Sequence, residues 1–206
     1  MRRIMAISMA ALIAMGMVAG PALASATGSI GNDAELRPER DTSWEDWHLI
    51  DANNSADIDG TIDAIDYYSK ANNPMRFFLV DDKLTVQWVG EEFDAGVGGG
   101  TYDLDEPVGV AEGWYLGMYF ADTGTIAYEG GGTIYSQDQD SGMPQLNDEL
   151  NAERKVERTY SLVADITPAS PETKDACKAG GWEEFDPEFR NQGQCIRYVN
   201  TGKDSR

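Results

Sequence analysis

The residue types that do most protein chemistry are scarce in this chain, acids excepted. It holds one histidine, two cysteines and 36 aspartates and glutamates in 206 residues. The acids offer the first candidate. Asp57-Ile58-Asp59-Gly60-Thr61-Ile62-Asp63 spaces carboxylates around a glycine, as oxygen-rich calcium loops do. Asp57, Asp59 and Asp63 are the candidate calcium ligands on this reading. With Ser55 and Asp66 added the stretch echoes an EF-hand loop, but Ser55 replaces the leading acid and no helices flank it. The competing reading is a solvated turn leading into a strand, with Asp63 and Asp66 facing water.

Acid pairs also suit glycoside hydrolysis, which needs two carboxylates about 5 to 9 Å apart. Glu91-Glu92 and Glu183-Glu184 are adjacent pairs. Adjacent side chains of an extended strand point to opposite faces, so neither pair converges if extended. His48, in Trp44-Glu45-Asp46-Trp47-His48, would have to serve any Ser-His-Asp triad. No Gly-x-Ser-x-Gly elbow is present to receive it, and no HExxH or His-Cys cluster suggests zinc. A lone histidine at the start of a strand reads as structural or surface-exposed. Aromatic residues are plentiful: Trp88, Trp114, Tyr115, Tyr119, Tyr128 and Tyr135 would either stack on sugar rings or fill a core. Core is favoured, because Trp88 sits in phase with Leu84 and Val86.

Those residues need a scaffold, and the chain predicts strands. Thr61 to Tyr68, Met75 to Val80 and Lys83 to Val89 carry β-type residues, and the last two form a hairpin about Asp81-Asp82. Gly113 to Ala121 is a nearly continuous apolar run, expected of a strand buried on both faces. Short strands are expected at Thr101 to Leu104, Thr125 to Tyr128 and Thr133 to Tyr135, separated by glycine loops at 96–100 and 130–132. Thr159 to Ile166 closes the set with Tyr160, Leu162 and Ala164 inward. Asn147 to Val156 reads as a helix or, equally, as a loop with a strand. The fold class is all-β: an antiparallel β-sandwich, jelly-roll-like, with a small disulfide-linked C-terminal appendage.

Residues 1–26 read as a secretory signal peptide: Arg2 and Arg3, then the apolar stretch Ile4 to Val18, then small-x-small sites ending at Ala24 and Ala26. The apolar run is short for a span of about 20 residues, so no membrane span is expected in the mature chain. Residues 27–45 read as a flexible arm, 46–167 as the sandwich, and 168–206 as a linker and a Cys-containing module. In an exported protein two cysteines read as one disulfide, here Cys177 with Cys195, closing a loop worth roughly 3 kcal/mol. A metal pair competes poorly, since no histidine lies near. The net charge of -20 repels phosphate backbones, so nucleic acid is excluded as a partner. Salt adaptation and cation recruitment both explain the acidity; scarce lysine and dispersed acids favour the first. Asn53-Asn54-Ser55 matches the N-glycosylation sequon.

Two stretches resemble known families. Cys177-Lys178-Ala179-Gly180-Gly181-Trp182, then Phe185, then Phe189-Arg190-Asn191-Gln192-Gly193-Gln194-Cys195, resembles a short C-terminal module of secreted bacterial proteins. That resemblance implies export and carries no chemistry. Gly60-Thr61-Ile62, Pro74 to Val80, Gly113 to Phe120 and Arg158 to Leu162 look like the strand order of an extracellular jelly-roll domain of unknown function. Trp114 departs from its pattern, standing where an acid after glycine is usual. The resemblance implies a β-sandwich attached to surface or adhesion proteins. The functional expectation is a secreted, non-catalytic module binding a polysaccharide or an envelope protein at the cell surface or in the extracellular matrix. The alternative is a secreted carbohydrate-active hydrolase using a carboxylate pair. A packing role in the envelope is a third option. Calcium is the one cofactor to test.

Overall fold

The computed structural model describes residues 27–42, 44–136, 142–151, 154–171, 173–183, 185 and 189–203. The leader expected over residues 1–26 lies outside them. In chain order the strands are β1 (Gly28–Asn32), β2 (Trp47–Asp51), β3 (Gly60–Ser69), β4 (Pro74–Val80), β5 (Val86–Val89), β6 (Phe93–Asp94), β7 (Gly98–Val110), β8 (Tyr115–Phe120), β9 (Tyr128–Ser136), β10 (Arg154–Tyr160) and β11 (Leu162–Pro168). Two antiparallel sheets result. The small one runs β1-β11-β3-β7, the large one β10-β9-β2-β8-β4-β5, with β6 also on β4.

With β4–β6 taken together and the pair β9–β10 set aside, successive strands alternate between the sheets, and β1-β11-β3-β7 facing β2-β8-β4-β5 is the strand order of a jelly roll. The antiparallel pair β9 and β10 is inserted before the last strand and extends the large sheet past β2. The run Thr159 to Ile166 is thus two strands in two sheets. Tyr160 ends β10, Ser161 crosses over, and Leu162 opens β11. Tyr160, Leu162 and Ala164 are all buried, as their spacing predicts.

The core lies between the sheets. Ile30, Leu49, Ile65, Phe77, Met118 and Leu162 are among its fully buried members. Each such side chain contributes roughly 1.5–3 kcal/mol of burial. A second cluster covers the outer face of the large sheet: Ile50, Phe78, Val80, Val86 and Tyr119, with Met143 and Leu150 packed on them. β8 lies between β2 and β4 and feeds both clusters, which is why its sequence shows no polar face.

Elsewhere the structure departs from the sequence reading or decides between its alternatives. The expected arm contains β1, which pairs with β11 from Gly28↔Ile166 to Asn32↔Leu162. Glycine stretches read as loops are strand: Gly98 to Gly100 open β7, and Gly130 to Gly132 lie inside β9. Of the two readings of Asn147 to Val156, the loop with a strand is the one found: residues 147–151 bond the edge at Val86 and Leu84, and Arg154 opens β10. Leu84, Val86 and Trp88 do not share a face. A register shift between Leu79 and Val80 puts Val86 in the outer cluster and Trp88 against the inner core.

The C-terminal module has its own cluster: Cys177, Phe185, Phe189 and Cys195, with Trp182 and Tyr198 against it. Cys177 and Cys195 form the expected disulfide. Cys195 sits on α1 (Gln192–Thr201), a helix the sequence reading missed. The Asn191 side chain caps α1 by accepting from the Gln194 N–H at 2.9 Å. A ten-residue helix is marginal alone. Reducing the disulfide is therefore expected to remove about 3 kcal/mol from the module. Helical circular dichroism should be lost while the sandwich signal at the aromatic bands is kept. Among the described residues no helix is long and apolar enough to cross a membrane.

Candidate functional site

The added pair β9–β10 leaves inner-face surface next to the mouth of the sandwich, and the segment between β1 and β2 lies along it. Glu39 exchanges backbone hydrogen bonds with Tyr128, and the buried Arg37 pairs with Glu129. Between that segment and the sheet is a cavity of about 210 Å3. Its apolar walls are Trp44, Trp47, Ile134 and Val156; its polar walls are Asp41, Ser136 and Arg158. The two indoles meet edge to face with ring centroids 5.7 Å apart, and Trp47 also packs on Phe120.

Arg158 is fixed from several sides. Its guanidinium pairs with Asp41, donates to the Tyr160 hydroxyl at 3.1 Å and lies 4.3 Å over the Tyr128 ring. Burial opposes its charge, yet Tyr160 and Asp41 hold it above its ordinary value. Burial, then the Asp41 charge, pushes the Tyr160 phenol well up, so it stays protonated and donates to Asp41. Arg158, Asp41 and Tyr160 thus form a hydrogen-bonded group at one end of the cavity, both bonds of Arg158 being made by one guanidinium nitrogen. Two further lining residues carry buried polar atoms without a hydrogen-bond partner: the Trp47 indole N–H and the Ser136 hydroxyl.

No family model and no curated protein matches the chain.

The sequence-predicted sites lie elsewhere. Asp57 accepts from the Ser29 N–H at 2.7 Å and Asp59 from the Glu112 N–H at 2.8 Å, while Asp63 faces solvent on β3. The structure does not gather Asp57, Asp59 and Asp63: among the described residues no group of three or more metal-ligating side chains converges. Two of these carboxylates instead anchor backbone around the turn into β3. Glu91 and Glu92 do not lie in an extended strand, and both approach Arg76, at 3.9 and 3.8 Å. Glu184 lies outside the described residues.

His48 is buried against Phe78, and its Nδ1–H donates to the Gly142 carbonyl at 3.2 Å. Burial lowers its pKa, partly offset by that hydrogen bond and by Asp148 and Asp46. It is a neutral core residue of the outer cluster. Of the aromatics, Tyr119 and Tyr128 are buried, Trp88 and Trp114 pack on the inner core, and Tyr115 and Tyr135 on the outer cluster. Sequence reading missed the pair that lines the cavity. The only signal available was two tryptophans three positions apart, Trp44 and Trp47.

Asn53 of the sequon is also committed. Its amide donates to Asp51 at 2.8 Å and to the Arg158 carbonyl at 3.0 Å, and its oxygen accepts from Thr133 N–H. Gly132, at φ 75°, allows this, since a Cβ there would overlap the Asn53 amide.

Proposed function

We propose that the chain is a secreted, non-catalytic β-sandwich module that binds carbohydrate at the cell surface or in the extracellular matrix. The cavity walled by Trp44 and Trp47 carries this reading. The half-buried Trp44 indole offers apolar surface to the C–H side of a sugar ring, with the buried Trp47 holding it in place, and the polar end offers groups to its hydroxyls. Among the described lining residues Asp41 is the one carboxylate, and it is bound to Arg158 and Tyr160. A hydrolase working by two carboxylates would want a second acid facing the first. The leader and the disulfide support export, where polysaccharides and envelope proteins are the available partners.

The test is retention on insoluble polysaccharides and a glycan array. Trp44→Ala should weaken binding about tenfold, the order expected for losing one stacked ring. Its unfolding midpoint should stay close to that of the parent, because Trp44 only borders the core. Binding that ignores the Trp44 substitution would overturn the proposal, as would no retention on any polymer.

A further inference from the structure

One open donor edge in the same cavity restricts what it takes, an inference that rests on the carbohydrate reading. Arg158 is the one cation among the described lining residues. Its guanidinium carries N–H donors on three nitrogens. Nη1 is committed, to Asp41 and to the Tyr160 hydroxyl. The Tyr128 ring lies against one face of the group, its centroid 4.3 Å from Cζ. Nε and Nη2 have no hydrogen-bond partner among the described residues, and neither atom is buried. These two nitrogens share one edge of the guanidinium. That edge is a fork that takes both oxygens of a carboxylate at once.

Asp41 does not compete for the fork. One of its oxygens meets Nη1, and the other accepts from the Tyr160 hydroxyl. The rest of the lining suits a ring. Val156 stands two residues before Arg158 on β10, and with Trp44 and Ile134 it supplies apolar wall. Sites for drug-sized ligands run from about 300 to 1,000 Å3. This cavity, at about 210 Å3, is smaller and suits a single ring. A uronic acid joins a C–H ring face to a carboxylate one bond away. A neutral hexose offers the fork only hydroxyls. The net charge of -20 opposes any anion at long range, but salt of about 0.1 M screens charges beyond about 10 Å, and the fork acts in contact.

We infer that the cavity binds one uronate unit of an acidic polysaccharide, its carboxylate held by Nε and Nη2 of Arg158 and its ring against Trp44.

The purified chain, followed through its indole N–H resonances by NMR, is titrated with glucuronate and galacturonate, with the matched neutral methyl glycosides, and with acetate. Salt of about 0.5 M screens the net charge. The uronates should bind about tenfold more tightly than the neutral sugars or acetate, and polygalacturonate should retain the chain better than a neutral glucan. Arg158→Lys keeps a charge beside Asp41 but has no fork, and should weaken the uronates about tenfold. Should that variant fail to fold, the comparison of uronate, neutral sugar and acetate on the parent decides. Neutral sugars binding as tightly as uronates would overturn this inference and leave the carbohydrate reading standing. So would uronate binding that is unchanged in Arg158→Lys. Acetate binding as tightly as glucuronate would overturn it too, since no ring would then be read. If no saccharide binds, acidic or neutral, monomer or polymer, the carbohydrate reading falls with it.

Discussion

Asp51→Ala is expected to cost about 3–5 kcal/mol of folding stability, measured by urea unfolding. Asp51 ends β2 and is fully buried. One carboxylate oxygen accepts from the Asn53 N–H at 3.0 Å and the Asn53 amide at 2.8 Å. The other accepts from the Asn32 amide at 2.8 Å and the Tyr160 N–H at 3.3 Å. Asn32 lies on β1 in the small sheet, Tyr160 at the end of β10 in the large one. The carboxylate therefore ties the two sheets at the point where the chain crosses between them. Truncation leaves these donors buried and unpaired.

The same residue makes stability depend on pH. Burial pushes the Asp51 pKa from 3.8 up to about 6, and the bonds from Asn53, Tyr160 and Asn32 pull against that rise. A carboxyl raised on folding favours the folded state while protonated. Its contribution is full below about pH 4 and disappears as pH rises through about 6, a span worth about 3 kcal/mol. Other acids repel one another more as pH rises, so the slope of the parent alone does not isolate Asp51. Asp51→Asn does: it cannot titrate, and its unfolding free energy should fall less between pH 4 and 6 than the parent's. An unchanged slope in Asp51→Asn would remove Asp51 as the origin. The variant should also be less stable than the parent at pH 4, because its amide faces donors where an oxygen accepted.

These features differ in how far sequence alone exposes them. The apolar run Gly113 to Ala121 is legible because its centre, Leu116 to Phe120, is buried on both faces and leaves no polar alternation, and β8 has neighbours and packed clusters on both sides. The β4–β5 hairpin is legible because its turn is local. The phase of Trp88 is not, since one shifted register moves it to the other face. β1 is hidden for another reason: Gly28-Ser29-Ile30-Gly31-Asn32 has little β character of its own and is held by β11, more than a hundred residues on. Glycines at 98–100 and 130–132 suggest loops, yet they sit in strands; at Gly100 and Gly132 a side chain crowds the backbone, and a Cβ at Gly100 would come within 2.6 Å of Tyr67. The cavity needs Asp41, Trp44 and Trp47 beside Ser136 and Arg158. No local pattern announces a pairing that only the inserted β9–β10 strands create.

Gly117 shows the same principle at the centre of the sheet, and it gives the second large effect. A glycine inside a strand normally weakens it. Here Gly117 of β8 lies directly across from Phe78 of β4, and the Phe78 ring covers the glycine on the outer face. A Cβ at position 117 would overlap ring carbons of Phe78. That ring has nowhere to go, being fully buried among Ile50, Val80 and Tyr119 with the His48 ring 6.0 Å away. Gly117→Ala is therefore expected to cost about 3 kcal/mol, the upper end for overpacking. Phe78→Leu alone should cost about 1–2 kcal/mol through lost packing. If the ring is what demands glycine, the two changes are not additive: the smaller side chain in Phe78→Leu leaves room for the new methyl, and the double variant should be about as stable as Phe78→Leu. Denaturant unfolding of the four proteins measures this coupling. Strict additivity would mean that position 117 excludes a side chain for some reason other than the Phe78 ring.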